Sequence, residues 1–406
     1  MKKIVLSTLT ALSLASVAAN ATDLYQDANG QVFTSAAEGR TLVEDKSVSV
    51  FAHADKLKFS GLTYIGAVAN DYKADGVATT AQMEIRRAYF QLKAYLMDDP
   101  KSYYRVTFDM SKDVTGDEKL RAKYAYIYLH EVLPATGVEI GLAHRPWHDY
   151  EEHNSWYYRS ISKVLIEDKK SGPDLSNSAD FGIMFKTRTQ YFDADYGVFN
   201  GEGYHAYQNA QNGLSFEWRA TAHLLGVSGK DKQTKKTYWD ASFFGQYNMK
   251  HKKLTYTPVG GTASVVGNDD LIFGGIHTVY NQPSFLVSAQ YVKSMNTRDG
   301  DITTGDAPGS TSNVSVQAGS GYSANAEYRL GAEKEYRVLA RYDSWTAEKE
   351  NSADERADRG YIVGAAWEQN RNLQWVANAI ITDNEAGSSK EVNNGVAYML
   401  TAEVRF

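Results

Sequence analysis

The densest set of reactive side chains lies between His144 and Ala179, in the run HRPWHDYEEHNSWYYRSISKVLIEDKK. It carries Arg145, His148, Asp149, Glu151, Glu152, His153, Arg159 and Lys163. His144, His148 and His153 with Glu151 and Glu152 invite a metal reading, but their spacing matches no H-E-x-x-H helix face, and loop histidines are usually solvated. Hydrolysis would need a nucleophile elbow or a serine and histidine with an orienting group, and the sequence carries no such motif. Neither a metal, a cofactor nor a catalytic centre is expected. The remaining chemistry is electrostatic: mixed charges around a narrow aqueous passage replace hydration and focus a field, and so sort ions. The plainer alternative is an exposed loop whose charges are solvated. Trp147, Trp156, Tyr157 and Tyr158 could stack sugars, but fastening this run to a wall is the simpler use for them.

Charges sort ions only if something holds them across a channel. The rest of the chain reads as that holder. Aromatic residues make up 12% of it, and they recur at every second position in segments about ten residues long, as a strand needs when one face meets lipid and the other meets water. No run of roughly 18 apolar residues is present, so a membrane helix is not expected. Met1-Lys2-Lys3, the apolar stretch Ile4 to Val17 and the small-x-small site Ala19-Asn20-Ala21 read as a secretory signal peptide over residues 1–21, with Thr22 the first mature residue. At the other end Val396, Tyr398, Leu400, Ala402, Val404 and Phe406 alternate with Ala397, Met399, Thr401, Glu403 and Arg405. A chain ending in such a strand and a terminal Phe resembles bacterial outer-membrane proteins, in which this motif is read by the barrel assembly machinery. Zero cysteines exclude disulfides and thiolate chemistry, and a net charge of −6 argues against nucleic acid as a partner.

The fold expected is all-β: a closed antiparallel transmembrane barrel over residues 57–406 in a Gram-negative outer membrane. Sixteen strands can be traced, from one near Leu57–Val68 to the terminal one, with short turns such as Met97-Asp98-Asp99-Pro100 and Asn281-Gln282-Pro283 on one side. Polar loops rich in Gly, Asp, Asn and Ser fall on the other. An even count returns the last strand to the periplasm. Eighteen strands is the alternative, because Lys252–Val259 could be a strand extension and Gly226–Thr237 is long for a periplasmic turn. Residues 22–56 read as a periplasmic tail or a small plug. A sixteen-stranded barrel encloses water, whereas eight strands would be filled by side chains.

Alternation also sorts the wall. Phe216, Trp218 and Ala220 face lipid, so Glu217, Arg219 and Thr221 face the lumen. By the same parity Arg105, Arg329, Arg337 and Arg341 point inward, because a cation on the lipid face near midplane costs about 2–4 kcal/mol. A basic wall opposite Asp149, Glu151 and Glu152 predicts a transverse field and modest ion selectivity.

The long segment near 144–179 is the third outer loop, the one that in sixteen-stranded porins folds inward to form the constriction. Gly141-Leu142-Ala143-His144-Arg145-Pro146, Tyr158-Arg159-Ser160, Asp180-Phe181-Gly182 and Tyr196-Gly197-Val198-Phe199-Asn200-Gly201-Glu202-Gly203 resemble the phosphate-selective porin O/P family. The resemblance implies a trimeric, anion-preferring porin that passes small hydrophilic solutes and ions. Asp149, Glu151 and Glu152 depart from the crowded Lys/Arg pore of the phosphate specialists. A non-conducting adhesin or structural surface protein is the other function class that this architecture allows.

Overall fold

Inward polar and outward apolar residues alternate along sixteen strands that close into one antiparallel barrel in the computed structural model. The structure describes residues 25–27, 32–33, 37–42 and 56–406, except 75–77, 96, 113–114, 206–211, 228–233, 258–263, 296–310, 313–318, 348–355, 387 and 389. The leader expected at residues 1–21 lies outside the described residues. Within 22–56, Tyr25–Asp27 pairs antiparallel with both Val32–Phe33 and Arg40–Leu42 in a small three-stranded sheet.

The barrel strands are β1 (Leu57–Tyr72), β2 (Thr80–Ala94), β3 (Tyr103–Lys112), β4 (Glu118–Leu133), β5 (Thr136–His144) and β6 (Ala179–Arg188). They continue with β7 (Phe192–Phe199), β8 (Ser215–His223), β9 (Tyr238–Thr257), β10 (Ser264–Gln282) and β11 (Phe285–Met295). The last five are β12 (Gly319–Leu330), β13 (Tyr336–Ala347), β14 (Arg356–Asn370), β15 (Leu373–Asn384) and β16 (Gly395–Arg405). Each pairs with its neighbours in sequence, and β16 returns to β1 with Gly395 opposite Tyr72 and Arg405 opposite Leu62. Closure pairs the backbone groups that an open edge would leave to lipid. At the seam Phe406 exchanges backbone hydrogen bonds with Gly61, 3.0 and 3.1 Å long. A Cβ on Gly61 would sit 2.1 Å from the Phe406 ring, so a larger residue there would displace that ring.

All sixteen strands lie where alternation places them, and the chief difference is length. Lys252–Thr257 is a strand extension that leaves the count at sixteen: it prolongs β9 against β10, with Lys252 opposite Asp269 after a register shift at Asn248.

The two faces are cleanly sorted. Along β8 Phe216 is 46% exposed, whereas Glu217, Arg219, Thr221 and His223 are buried. Outward aromatics form cross-strand rows: Tyr336 opposite Trp367 and Trp367 opposite Trp375 toward the turn end, Tyr342 opposite Tyr361 toward the loop end. Such rows mark the two edges of a hydrocarbon belt. A closed barrel with an apolar outer face belongs in a membrane.

Candidate functional site

Residues 145–178 sit inside the barrel. Helix α1 (Pro146–Asn154) begins the segment, with Pro146 in its first turn, where a missing N–H costs nothing. Around the circumference the segment is tied to inward side chains of the wall. Lys186 of β6 reaches Asp149 at 3.2 Å, Tyr150 donates to Asp240 of β9 at 2.5 Å, and Gln290 of β11 donates to Glu151 at 2.7 Å. Farther round, Tyr158 donates to Glu327 of β12, Ser160 to Glu403 of β16, and Arg86 of β2 to the Ser160 carbonyl.

Two kinds of contact hold it there. The first is a buried staple at the root. Arg145 pairs with Asp180 at 2.8 Å and Glu217 at 3.3 Å, donates to the Gly201 carbonyl at 3.0 Å, and also donates to Ser176. The second is an apolar core within the lumen. Trp147, Tyr150, Trp156, Tyr158, Ile161, Val164, Leu165, Ile166 and Leu175 pack on Phe244, Leu271, Phe273, Val292, Leu339, Trp345, Ile362 and Val376 from β9 to β15. That half of the lumen is therefore filled by packed side chains, whereas the loop meets β2 to β8 through polar contacts.

The loop's charges are mostly neutralised by one another. Glu152 pairs with Arg159 at 3.1 Å, and buried Glu167 receives Arg159 and Lys163, each at 2.9 Å. Burial alone would raise the Glu167 pKa, but those two cations outweigh it and hold the carboxyl well below its usual range. His148 is buried, which pushes its pKa down to about 4 and keeps the imidazole neutral. Burial pushes Glu151 up to about 7. Asp149 is the hub on the open side, within 3.3 Å of His153 as well as near Lys186. Beyond it a cavity of about 390 Å³ separates Asp149, Tyr150, His153 and Asn154 from Arg105, Arg188, Asp193 and Arg219.

The wall arginines expected from parity all face inward, but they do not form one strip. Arg219 pairs with Asp195 at 2.5 Å, Arg329 with Glu327, Arg337 with Glu368, and Arg341 with Asp343 at 2.9 Å. Arg341 also lies over the Trp156 ring, at the loop's apolar face. An unscreened basic wall opposing an acidic loop is thus not what the side chains build, because each array is paired before it meets the other. Arg105 is different: it stacks over Tyr124 at 4.7 Å and donates to the Tyr126 hydroxyl at 3.2 Å.

Around Arg105 the structure gathers cations that parity alone overlooked. Pairing of β3 with β4 passes from Thr107–Tyr124 to Phe108–Ala122, so Lys123 is bulged out of the ladder and turns inward beside Tyr124. Its ammonium donates to Tyr89 at 2.7 Å. On β2 the adjacent Arg86 and Arg87 both make interior contacts, Arg87 with Asp109 at 3.5 Å. Lys93 lies over the Tyr103 ring at 4.6 Å. The signal was present: two consecutive arginines in a membrane strand cannot alternate without placing one in lipid, so one of them requires a bulge.

Comparison with known proteins agrees with the fold. The chain is similar to a loop-deletion form of OmpT, an outer membrane protein of Vibrio cholerae (12% identity over 86% of this chain and 99% of that one, TM-score 0.57). An anion-selective porin from Comamonas acidovorans matches at 12% identity, covering 86% and 98% of the two chains, with a TM-score of 0.57. Salmonella typhi OmpF, solved with daunomycin, matches at 12% identity over 87% and 99%, also with a TM-score of 0.57. No family model matches the sequence. No curated protein matches it either. The fold is that of a porin-like barrel of the Gram-negative outer membrane.

Proposed function

We propose that this barrel is an outer-membrane porin through which small hydrophilic solutes and ions diffuse passively, with a weak preference for anions. The observation that carries the reading is the asymmetry of the lumen. A loop seated by an apolar core on one half of the wall leaves a charged face toward the other half, where Arg87, Lys93, Arg105 and Lys123 of β2 to β4 stand with Asp109, while farther round Lys186, Arg188 and Arg219 are paired with Glu139, Asp193 and Asp195. A path between those surfaces is wetted by charge on both sides, and the β2 to β4 stretch of the wall has the larger share of cations. Resemblance to the phosphate-selective porin O/P family points the same way, although acidic Asp149 and Glu152 beside the path favour a general anion preference over a phosphate-specific one. The reading includes removal of residues 1–21, assembly through the C-terminal strand and Phe406, and a homotrimer in the membrane. It assigns the chain no chemical step.

Planar-bilayer recordings of the purified protein test it. Stepwise insertions with a reversal potential favouring chloride in a KCl gradient are expected, the preference being greatest at low salt because the Debye length, about 8 Å at physiological ionic strength, is comparable with a pore radius. Replacing 146–178 by a short polar linker should raise conductance and admit larger solutes. Reconstituted trimers that give no steps would instead assign a closed surface protein.

A further inference from the structure

On the outer side of the loop lies a second cavity, of about 410 Å³, which the path described above does not use. Its walls come from the outer halves of β1, β2, β13, β14, β15 and β16 and from the returning limb of the loop. Below it the loop is fastened to the wall, because Ser160 is held by Arg86 and Glu403. On one side Ser171 closes against β14, where Gly360 leaves the room: a Cβ there would stand 2.6 Å from the Ser171 hydroxyl. The space is therefore an alcove at the mouth that shares no lining residue with the cavity beside Asp149.

The lining has two characters. Val68, Ile161, Ile362, Ile380 and Met399 give it an apolar floor. Arg86, Lys163, Lys169 and Lys170 stand in its lining with Glu84, Asp168 and Asp343. Each of those carboxylates is already engaged. Glu84 meets Arg86 at 3.5 Å and Asp343 meets Arg341 at 2.9 Å. Asp168 accepts the backbone N–H groups of Ser171 and Gly172 at 2.7 and 3.0 Å. Lys163 is spent on Glu167 and Lys169 on Asp174, at 2.9 and 3.3 Å. Lys170 makes no ion pair among the described residues, and its carbonyl is fixed by the Asn384 side chain at 3.0 Å. One uncommitted cation thus stands at the edge of an apolar floor, in a space of the size that holds a small molecule.

We propose that this alcove is a binding subsite for small amphiphilic monoanions, a carboxylate on a hydrocarbon or aromatic body, which are captured at the outer mouth before they enter the passage. The inference rests on the reading of the chain as a diffusion channel. Charge alone would hold an inorganic ion at Lys170 no better than at any exposed lysine. The apolar floor adds an attraction that grows with the solute's hydrocarbon surface, and the lysine selects the sign of its head group.

Calorimetric titration of the detergent-solubilised full-length protein with hexanoate, acetate and hexylammonium tests it. Hexanoate should bind at least about tenfold more tightly than either of the others. Lys170→Gln should bring hexanoate close to hexylammonium, and Ile380→Ser should bring it close to acetate. Heat-modifiable gel migration checks that each variant is folded, and Lys170, being exposed, can be replaced without touching the core. Equal weak binding of all three probes, or hexanoate affinity unchanged in Lys170→Gln, would overturn the subsite. A protein that binds hexanoate as expected but gives no conductance steps would keep the subsite and remove the channel, whereas normal steps without selective binding would do the reverse.

Discussion

Trp147 on the loop lies flat against Phe244 on the wall, with ring centroids 3.7 Å apart and planes 6° from parallel. The pair stands in the apolar core that seats the loop, on β9, next to β8, whose Glu217 holds the Arg145 staple. Aromatic contact here replaces the polar surface that a hydrated lumen would otherwise show, so loop position is set by packing as well as by charge.

Removal of that ring should therefore loosen the loop while leaving the barrel closed. Truncating a buried Trp costs about 3–5 kcal/mol. Trp147→Ala should give a higher and noisier single-channel conductance with an unchanged far-ultraviolet strand spectrum. Conductance and noise equal to wild type would mean that the staple at Arg145 holds the loop without help.

Selectivity should follow the bulged cluster rather than the far wall. Arg87→Gln combined with Lys123→Gln removes two cations beside the path and should move the KCl reversal potential toward potassium. Arg337→Gln, which frees Glu368 toward the turn end, should shift it much less. If the Arg337 variant proves the more effective of the two, the path runs on the other side of the loop.

How much of this could be read from the residues depended on what each residue had to satisfy. Strand positions were legible because lipid imposes one rule on every second side chain, and Phe216 and Glu217 obey it as neighbours in an unbulged strand do. Arg341 was legible as inward for the same reason, but its partner was not: parity says which face a side chain takes, and nothing about Asp343 or Trp156 lying beside it. Lys123 was missed because a bulge breaks the period of two on which the reading relied. Trp147 and Trp156 were legible as anchors in kind, whereas the strands that receive them became visible only when the loop was placed. Arg145 reads as a loop charge in sequence and is a buried staple in space, since its carboxylates, Asp180 and Glu217, are far along the chain.

The outer face offers a test of stability. Ile276 lies near the middle of β10, is 60% exposed, and has Phe243 and Tyr291 as cross-strand neighbours. Ile276→Arg should cost about 2–4 kcal/mol of barrel stability, which is the range for a cation at the bilayer midplane. Urea-induced unfolding in lipid vesicles measures it. A loss below about 1 kcal/mol would place Ile276 against another surface than hydrocarbon.

The loop's response to pH combines two buried groups that act in opposite directions. Glu151 faces Gln290 and, from β13, Arg341 and Asp343; burial raises its pKa from 4.5 to about 7. A seated loop therefore binds a proton that a released loop gives up, so its contribution to seating is complete below about 4.5 and is lost as pH rises through 7. His148 faces Glu152, Glu167, Arg145 and Arg159; burial lowers its pKa from 6.5 to about 4. Seating expels that proton, so this contribution is complete above 6.5 and is lost as pH falls toward 4. Between 4.5 and 6.5 the two cancel, and wild-type conductance should be nearly flat. Each variant should expose the other group. Glu151→Gln should open and become noisy on acidification from pH 6.5 to 4.5, while His148→Gln should do so on alkalinisation from pH 4.5 to 7, each by up to about tenfold per pH unit in the ratio of released to seated loop. Conductance traces across this range separate the cases, and a Glu151→Gln channel that stays as quiet at pH 4.5 as at pH 6.5 would mean that His148 is not buried against the wall when the channel conducts.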